Sequence, residues 1–254
     1  QCPAKVVGIT GSNGKTTVKE MIASILGLSG SVLATSGNFN NELGLPLTVF
    51  QLDHSHDYAV LEMGASNPGD IAYLGAIAKP EVAVVTNVGP AHLKGFIDIE
   101  GVAKAKGEIY ASLPEDGTAI INRAESWVEM WRGMNKAENT LYFNGEEDNS
   151  IRAFFENDQC FVRTPRGDFE LRLPLPGRHN VDNALAATAV CLALDISLDD
   201  IRKGLQTVKA VPGRLNLVHA LSGWTVIDDT YNANPASLYA ALQVLSAQNG
   251  EPWL

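Results

Sequence analysis

The chain has 254 residues, 45% of them hydrophobic, and its 19 basic and 29 acidic residues give a formal net charge of −10. This length supports one large domain or two modest ones, and the acidic balance argues against a broad surface for non-specific nucleic-acid binding. No apolar run approaches the ~20 residues of a membrane span, and the three cysteines show no close spacing. We therefore expect a cytoplasmic protein without disulfides.

The chain opens with the pattern of a strand, a glycine turn and a helix. Val6–Ile9 is an apolar, mostly β-branched run, and apolar residues recur at helical spacing after Lys15. The strict Walker A motif requires glycine where Ile9 stands, so that motif is not matched. Lys15 nevertheless lies at a helix N-terminus, whose dipole favours anions. We predict a loop for ATP or GTP phosphates, formed by Gly11, Ser12, Asn13, Gly14, Lys15, Thr16 and Thr17.

Short apolar runs then alternate with helical patterns. The predicted strands lie at 31–36, 58–63, 82–88 and 118–122, and helical patterns begin at Gly69 and Ile99. Near-continuous apolar strands that alternate with helices predict an α/β fold, with a mostly parallel sheet and helices on both faces. Ligands of such sheets bind at the carboxyl ends of the strands.

The pattern changes at 151–174, where apolar and polar residues alternate around turn signals at Asn157-Asp158 and Arg166-Gly167. This alternation predicts a small antiparallel sheet. Helices are predicted from His179 to Leu194 and from Ser197 to Val208, with Ser197 as the N-cap of the second.

The end of the chain has the pattern of a second unit. Two strands flank Ser222-Gly223, and a helical pattern runs from Pro235 to Ala247. We predict a first domain at 1–222 and the beginning of a further α/β domain at 223–254.

Several polar residues near the predicted strand ends are candidates for chemistry. A carboxylate such as Glu62, at a strand tip beside a phosphate loop, is suited to Mg²⁺, although a solvated acid is the ordinary alternative. His92 alone is equally well explained as a structural or exposed histidine. Lys104 and Lys106 are two apart on a helix, so they cannot share a face, and solvated lysines are their ordinary interpretation.

Three later features have simple explanations as well. Asn180 and Asn183 lie three apart on one helix face, and N-capping would explain Asn180. Arg214 could be an exposed linker charge. The segment at 37–46 is polar and turn-rich, and by itself it indicates only a loop.

Taken in order, eight stretches resemble the Mur ligase family, which comprises ATP-dependent, amide-forming enzymes of peptidoglycan synthesis. They are TGSNGKTT (10–17), SGNFNNELGLPLT (36–48), LEMGASNPGDI (61–71), TNVGPAHLKGF (86–96), VAKAKGEIY (102–110), LPGRHNVDNALAA (175–187), VPGRL (211–215) and DDTYNANPAS (228–237). The resemblance covers essentially the whole chain. Its motifs are most similar to the member that joins D-alanyl-D-alanine to UDP-MurNAc-tripeptide through an acyl phosphate.

The resemblance implies roles for individual residues. Lys15 and Arg214 would neutralise the ATP phosphates. The implied ligands of two Mg²⁺ sites are Thr16, Glu62, His92 and Lys106. Lys106 would act as a carbamate formed with CO₂, and Lys104 is the alternative. ATP contacts are implied for His179, Asn180, Asn183 and Asp229, and contacts with the UDP-sugar-peptide for Asn38, Asn40 and Asn41.

The resemblance also implies further domains. A uridine-binding domain has no counterpart before Gln1, and most of a C-terminal domain would follow Leu254, so we expect this chain alone to bind nucleotide but to make little or no product. We expect a monomer that uses small-molecule substrates and no nucleic acid. Two alternatives stay open: another Mur ligase or folylpolyglutamate synthase with a different acceptor, and a nucleotide-binding switch module with no acceptor.

Overall fold

The computed structural model of the chain describes residues 3–90, 93–147, 150–219, 223–232 and 234–248. Its centre is a six-stranded sheet with the strand order β2-β3-β1-β4-β5-β6, in which every neighbouring pair is parallel. The strands are β1 (Lys5–Thr10), β2 (Val32–Ala34), β3 (Tyr58–Glu62), β4 (Val82–Val85), β5 (Thr118–Asn122) and β6 (Asn139–Phe143).

Helices cover both faces of this sheet, as predicted. The helices are α1 (Lys15–Leu26), α2 (Gly44–Val49), α3 (Asp70–Ala78), α4 (Leu93–Phe96), α5 (Ile99–Ala111), α6 (Val128–Met134), α7 (Arg178–Ala193), α8 (Leu198–Thr207) and α9 (Pro235–Ser246). One apolar layer joins the sheet to α1, α7 and α8, and the other joins it to α3, α5 and α6. Among the described residues, no helix has both the length and the apolar character that crossing a bilayer requires.

The two apolar layers follow from the period of two in a strand. In β4, Val82 and Val84 pack in the layer of α1, while Ala83 and Val85 pack in the layer of α3 and α5. Because both faces are covered, the strands read as continuous apolar runs rather than alternating ones.

The position of β1 determines where a ligand crevice opens. β1 pairs with β3 on one side and with β4 on the other, and the chain extends the sheet outward in both directions from there. In open parallel sheets, such a point of reversal leaves a crevice at the carboxyl ends of the strands. The loop after β1 lies at this crevice.

The predicted antiparallel sheet is also present. It contains β7 (Arg152–Glu156), β8 (Gln159–Thr164) and β9 (Gly167–Glu170). Asn157 and Asp158 have positive φ angles of 49° and 63°, which suits the tight turn between β7 and β8. The turn signals in the sequence therefore identified both hairpins.

At the end of the described chain, β10 (Asn216–His219) and β11 (Thr225–Asp228) pair in antiparallel fashion before α9. Asn234 caps α9, because its side chain accepts the Ser237 N–H while the Ser237 hydroxyl accepts the Asn234 N–H. The predicted division at residue 222 lies outside the described residues, and it stays a prediction.

The structure differs from the sequence prediction in a few elements. β6, α2, α4 and α6 were not predicted, and the strand expected at 82–88 ends at Val85. The N-cap explanation of Asn180 is wrong, because α7 begins at Arg178 with Gly177 as its N-cap. Ser197 is the N-cap of α8, as predicted, and its side chain accepts the Asp200 N–H.

Candidate functional site

A cavity of about 890 Å³ opens at the carboxyl ends of the sheet strands. Its lining contains almost all of the site residues predicted from the sequence. These are Gly11, Ser12, Asn13, Gly14, Lys15, Thr16, Thr17, Asn40, Asn41, Glu62, Lys106, His179, Asn180, Asn183, Arg214 and Asp229. Asn38 is exposed and does not line the cavity. His92 lies outside the described residues.

The phosphate loop, Gly11–Thr17, presents a row of backbone N–H groups. Among the described residues, the N–H groups from Gly14 to Thr17 have no acceptor, as is usual for the first turn of a helix. The N–H groups of Ser12 and Asn13 instead donate to Asn87. Four amides at the positive end of the α1 dipole are therefore available to an anion.

Gly14 is the N-cap of α1 and has a φ of 79°, in the left-handed region. A Cβ at this position would lie 2.4 Å from Oδ1 of Asn183, which is on α7. Glycine is required here for both its backbone conformation and its lack of a side chain. The phosphate loop and α7 can therefore approach each other closely.

Lys15 lies beside the amides of the phosphate loop, and its Nζ donates a 2.9 Å hydrogen bond to the Gly11 carbonyl oxygen. Burial lowers the pKa of Lys15, the Glu62 carboxylate opposes this effect, and Arg214 adds to it. A bound anion would offset the cost of keeping this ammonium charged in a buried position.

A hydrogen-bonded chain joins four residues across the cavity. Arg214 Nη2 donates to Thr16 Oγ1 at 2.9 Å, and Thr16 Oγ1 donates to Glu62 Oε2 at 2.7 Å. The other Glu62 oxygen, Oε1, accepts from Asn40 Nδ2 at 2.8 Å. Glu62 is only 2% exposed. One buried carboxylate is thus held between an arginine-bound hydroxyl and an amide.

Arg214 is held from a second side by an aromatic ring. Its guanidinium carbon lies 4.0 Å from the centroid of the Tyr231 ring, in the geometry of a cation–π contact. Within the part of the chain that the structure describes, Arg214 Nε is buried and has no hydrogen-bond partner. A buried N–H without a partner is costly unless a ligand accepts from it, so this atom points to an anionic ligand.

Thr16 and Glu62 are suited to hold a magnesium ion. Mg²⁺ is usually bound by one or two protein oxygens together with phosphate oxygens and water, rather than by a cage of side chains. The described residues contain no group of three or more His, Cys, Asp or Glu side chains with metal-binding geometry. One carboxylate and one hydroxyl beside a phosphate loop therefore fit a nucleotide-bound magnesium.

The structure separates the two lysines of α5. Lys106 is 3% exposed and lines the cavity, whereas Lys104 is exposed. Burial, and to a smaller extent the charge of Lys15, lowers the pKa of Lys106 to about 7. A large share of Lys106 is therefore neutral near neutral pH, which is the form that reacts with CO₂.

The residues predicted to contact the nucleoside lie at the start of α7 and near β11. Asn180 Nδ2 donates to the Pro176 carbonyl at 2.7 Å, and Asn180 Oδ1 accepts from Asn183 Nδ2 at 3.1 Å. Burial lowers the pKa of His179, and the nearby carboxylate of Asp229 opposes this shift. Burial raises the pKa of Asp229.

The loop at 36–43 forms the other side of the cavity. Asn41 Oδ1 accepts the Gly44 N–H at 2.8 Å at the start of α2, and the Asn40 carbonyl accepts the Gly64 N–H at 2.7 Å. This loop is therefore tied both to α2 and to the loop after β3.

Sequence analysis missed two sets of contacts with the phosphate loop. The first comes from the segment Thr86–Gly89, most of which was predicted to belong to the strand at 82–88, whereas β4 ends at Val85 in the structure. The second is the 2.8 Å hydrogen bond from Asn234 Nδ2 to Asn13 Oδ1. These residues are 221 positions apart, and no local pattern indicates the contact.

The chain is similar to known proteins of one family. A family model described as the Mur ligase middle domain matches residues 9–191. The UDP-N-acetylmuramoyl-tripeptide--D-alanyl-D-alanine ligase of Escherichia coli (strain K12) is 44% identical, and the match covers 98% of this chain and 57% of the relative.

Two solved structures are similar over 98% of this chain. A crystal structure of MurF from Acinetobacter baumannii has a TM-score of 0.92 and 41% identity, with 56% of its chain covered. MurF from Thermotoga maritima, solved in complex with ADP, has a TM-score of 0.83 and 33% identity, with 58% covered. The chain therefore spans slightly more than half the length of the relatives that it matches.

Proposed function

The chain belongs to the Mur ligase family, and from this premise we propose that it carries the ATP site of a ligase that joins D-alanyl-D-alanine to UDP-MurNAc-tripeptide. The observation that carries the proposal is the arrangement of Lys15, Thr16, Glu62 and Arg214 around the free amides of the phosphate loop. Two cations, one carboxylate and a helix N-terminus suit a metal-bound triphosphate.

ATP is the proposed nucleotide, and the ADP complex of the Thermotoga maritima relative supports this choice. The phosphates would lie on the amides of Gly14–Thr17, beside Lys15. The adenine and ribose would lie against α7 and Asp229. His179 and Asn180, at the start of α7, line the same cavity.

Mg²⁺ is proposed at Thr16 and Glu62, where it would neutralise phosphate charge when bound. A second ion would use His92, together with Lys106 as a carbamate. The burial of Lys106, its cavity position and its low pKa support the carbamate. Supply of ¹³C-bicarbonate tests it. We expect a carbamate carbon signal in the wild type and in Lys104→Met, but none in Lys106→Met.

The proposed reaction has two steps. A carboxylate oxygen of UDP-MurNAc-tripeptide attacks the γ-phosphorus of ATP, and the bond to ADP breaks, which leaves an acyl phosphate. The amine of D-alanyl-D-alanine then attacks the acyl carbon, phosphate leaves, and the amine loses a proton. Lys15 and Arg214 stabilise the charge that develops on the transferred phosphoryl group.

The loop at 36–43 is proposed to face the UDP-sugar-peptide. Asn40 and Asn41 line the cavity on that side, and Asn40 also touches Glu62, so the substrate carboxylate would arrive close to the metal-binding residues. Asn38 is proposed as a rim contact, because it is exposed.

The remaining proposals concern organisation. We propose a central domain at 1–222 followed by a second unit at 223–254, and a monomeric, cytoplasmic protein. The free thiols of Cys160 and Cys191 are compatible with a reducing compartment.

Release of ADP tests the ligase proposal, in the protein encoded by the complete reading frame that contains this sequence. We expect release to require UDP-MurNAc-tripeptide and D-alanyl-D-alanine together with ATP. Single amino acids offered in place of the dipeptide test for another ligase of the family. ADP release that is independent of any carboxylate substrate would contradict the proposal and indicate a nucleotide switch.

A further inference from the structure

The segment Thr86–Gly89, which we call the brace segment, contacts the phosphate loop through backbone and side chains. The Ser12 N–H donates to the Asn87 carbonyl at 2.9 Å, and Thr86 Oγ1 donates to the Asn13 carbonyl at 2.7 Å. The Gly89 N–H donates to Ser12 Oγ at 2.9 Å. The conformation of Ser12 and Asn13 is therefore determined by residues more than seventy positions away in sequence.

Asn87 makes the most specific of these contacts. Its Oδ1 accepts the Asn13 N–H at 2.9 Å, and its Nδ2 donates to the Asn13 carbonyl at 3.0 Å. A carboxamide offers an acceptor and a donor side by side, so one side chain satisfies both backbone polar groups of Asn13. Alanine would leave the Asn13 N–H without this acceptor and the Asn13 carbonyl with the Thr86 hydroxyl alone, and aspartate would keep only the bond to the N–H.

These bonds decide which amides face a ligand. Because the N–H groups of Ser12 and Asn13 are bonded to Asn87, they are not available to an anion, and the free amides begin at Gly14. The backbone at Ser12 and Asn13 is therefore held by these bonds without a ligand. Such preorganisation increases affinity because less conformational freedom is lost on binding.

The brace segment is itself anchored to the neighbouring strand β5. Asn122 Nδ2, at the end of β5, donates to the Thr86 carbonyl at 2.9 Å. The Val88 N–H donates to Glu125 Oε1 at 3.1 Å. The backbone on both sides of Asn87 is thus held by Asn122 of β5 and by Glu125, in the connection that follows β5.

We propose that Asn87 is a positioning residue for the phosphate chain of a nucleoside triphosphate. It acts through Asn13, by keeping the backbone at 12–13 turned so that the amides of Gly14–Thr17 converge on the phosphates. This inference rests on the proposed function, because it takes the loop as the ATP site.

Titration of ATP, ADP and adenosine into the purified protein with Mg²⁺ tests the proposal. We expect Asn87→Ala to raise the Kd for ATP at least tenfold and to leave the Kd for adenosine, measured by ligand-observed NMR, within twofold. A positioning role predicts a loss of affinity that is largest for ATP, smaller for ADP and smallest for adenosine. A general loosening of the structure would weaken all three ligands alike, and that outcome would overturn the proposal.

Asn135 provides a matched control. Its Oδ1 accepts the Ala137 N–H and its Nδ2 donates to the Ala137 carbonyl, both at 3.0 Å, and it does not line the cavity. We expect Asn135→Ala to lower the Tm about as much as Asn87→Ala while ATP binding stays unchanged. Equal ATP affinities in the two variants would overturn the proposal.

Asn87→Asp keeps the inference testable if Asn87→Ala does not fold. Aspartate retains the acceptor for the Asn13 N–H, but it lacks the donor to the Asn13 carbonyl and adds a negative charge. We therefore expect a larger loss of affinity for ATP than for adenosine. Unchanged ATP binding in this variant would overturn the role of Asn87. Failure of the wild type to bind ATP at all would instead refute the proposed function, and with it this inference.

Discussion

The two edges of the parallel sheet use polar residues differently. At the edge formed by the amino ends of the strands, Ser31 and Asp57 are exposed, and the Ser31 N–H donates to Asp57 Oδ2 at 2.8 Å. At the carboxyl edge, Glu62 and Thr16 are buried, and Thr16 is bonded to Arg214, 198 positions away.

This difference in the burial of polar groups indicates the role of the carboxyl edge. A polar group removed from water costs free energy unless its partners are well placed, and the contacts of the amino edge avoid this cost by staying in solvent. The carboxyl edge concentrates buried polar groups, and it leaves Arg214 Nε and the amides of Gly14–Thr17 without partners among the described residues. Such groups are suited to binding a ligand rather than to stabilising the fold.

Glu62→Gln should have the largest effect, because it removes the only carboxylate of the proposed Thr16–Glu62 metal site. We expect ligation to fall at least a hundredfold, equivalent to about 3 kcal/mol of transition-state stabilisation. The rate of ADP release in the presence of both substrates measures this effect. A comparable loss in Asp57→Asn would contradict the distinction between the two edges.

Lys106→Met should increase the free energy of unfolding and remove the pH dependence that Lys106 gives to it. The pKa of Lys106 is lowered from 10.5 to about 7, so between these pH values the unfolded state binds a proton that the folded state lacks. Wild-type stability therefore rises with pH in this window. We expect Lys106→Met to raise the free energy of unfolding by about 4 kcal/mol at pH 7, and by much less at pH 10.

Urea unfolding at several pH values measures this difference. Lys104→Met is the control, because Lys104 is exposed on the same helix, and we expect its unfolding curves to follow the wild type. A destabilised Lys106→Met at pH 7 would mean that the lysine is charged and paired in the folded protein.

Gly14→Ala should be the next largest change, and Gly69 provides a control. Both glycines are left-handed N-caps, but a Cβ at Gly14 would meet Asn183, whereas nothing lies within 4 Å of a Cβ at Gly69. We expect a loss of about 1 kcal/mol for Gly69→Ala from backbone strain and about 2 kcal/mol or more for Gly14→Ala. Urea unfolding measures both losses, and ATP titration should show weaker binding in Gly14→Ala alone.

Asp57→Asn should have the smallest effect. Hydrogen bonds from Ser31 lower the pKa of Asp57, so this carboxylate stabilises the fold above its ordinary pKa, and the contribution disappears as the pH falls through the lowered value. We expect a small decrease in Tm at pH 6 that vanishes in acid, and ADP release within twofold of the wild type. Thermal unfolding across this pH range checks the expectation.

Most of the fold could be predicted because its central strands have a strong local pattern. β1, β3, β4 and β5 are buried on both faces and read as continuous apolar runs. β6 was missed because it is an edge strand with mostly half-exposed residues, so it lacks such a run. α2 was missed because its start at Gly44, with proline two positions later, has the composition of a turn.

The residues of the candidate site also divide into those that a local pattern predicts and those that it does not. Lys15 and Glu62 adjoin recognisable local patterns, so their placement followed from the sequence. The contacts of Asn13 with Asn87 and Asn234 join distant segments, and only the folded chain brings them together. Thr86–Val88 was interpreted as a continuation of β4, because its composition does not reveal where strand pairing stops.

The side chain of Tyr110 lies where the pairing of β4 with β5 ends. Its buried hydroxyl accepts the Val85 N–H at 3.1 Å and donates to the Ile120 carbonyl at 2.7 Å, next to the last paired residues of β4 and β5. Burial raises the pKa of Tyr110, so the hydroxyl keeps its proton and remains a donor. The phenol hydroxyl therefore lies between the two strands and takes the place of one direct hydrogen bond between their backbones. Removal of this hydroxyl in Tyr110→Phe would leave the buried Val85 N–H and Ile120 carbonyl without the partner that they share.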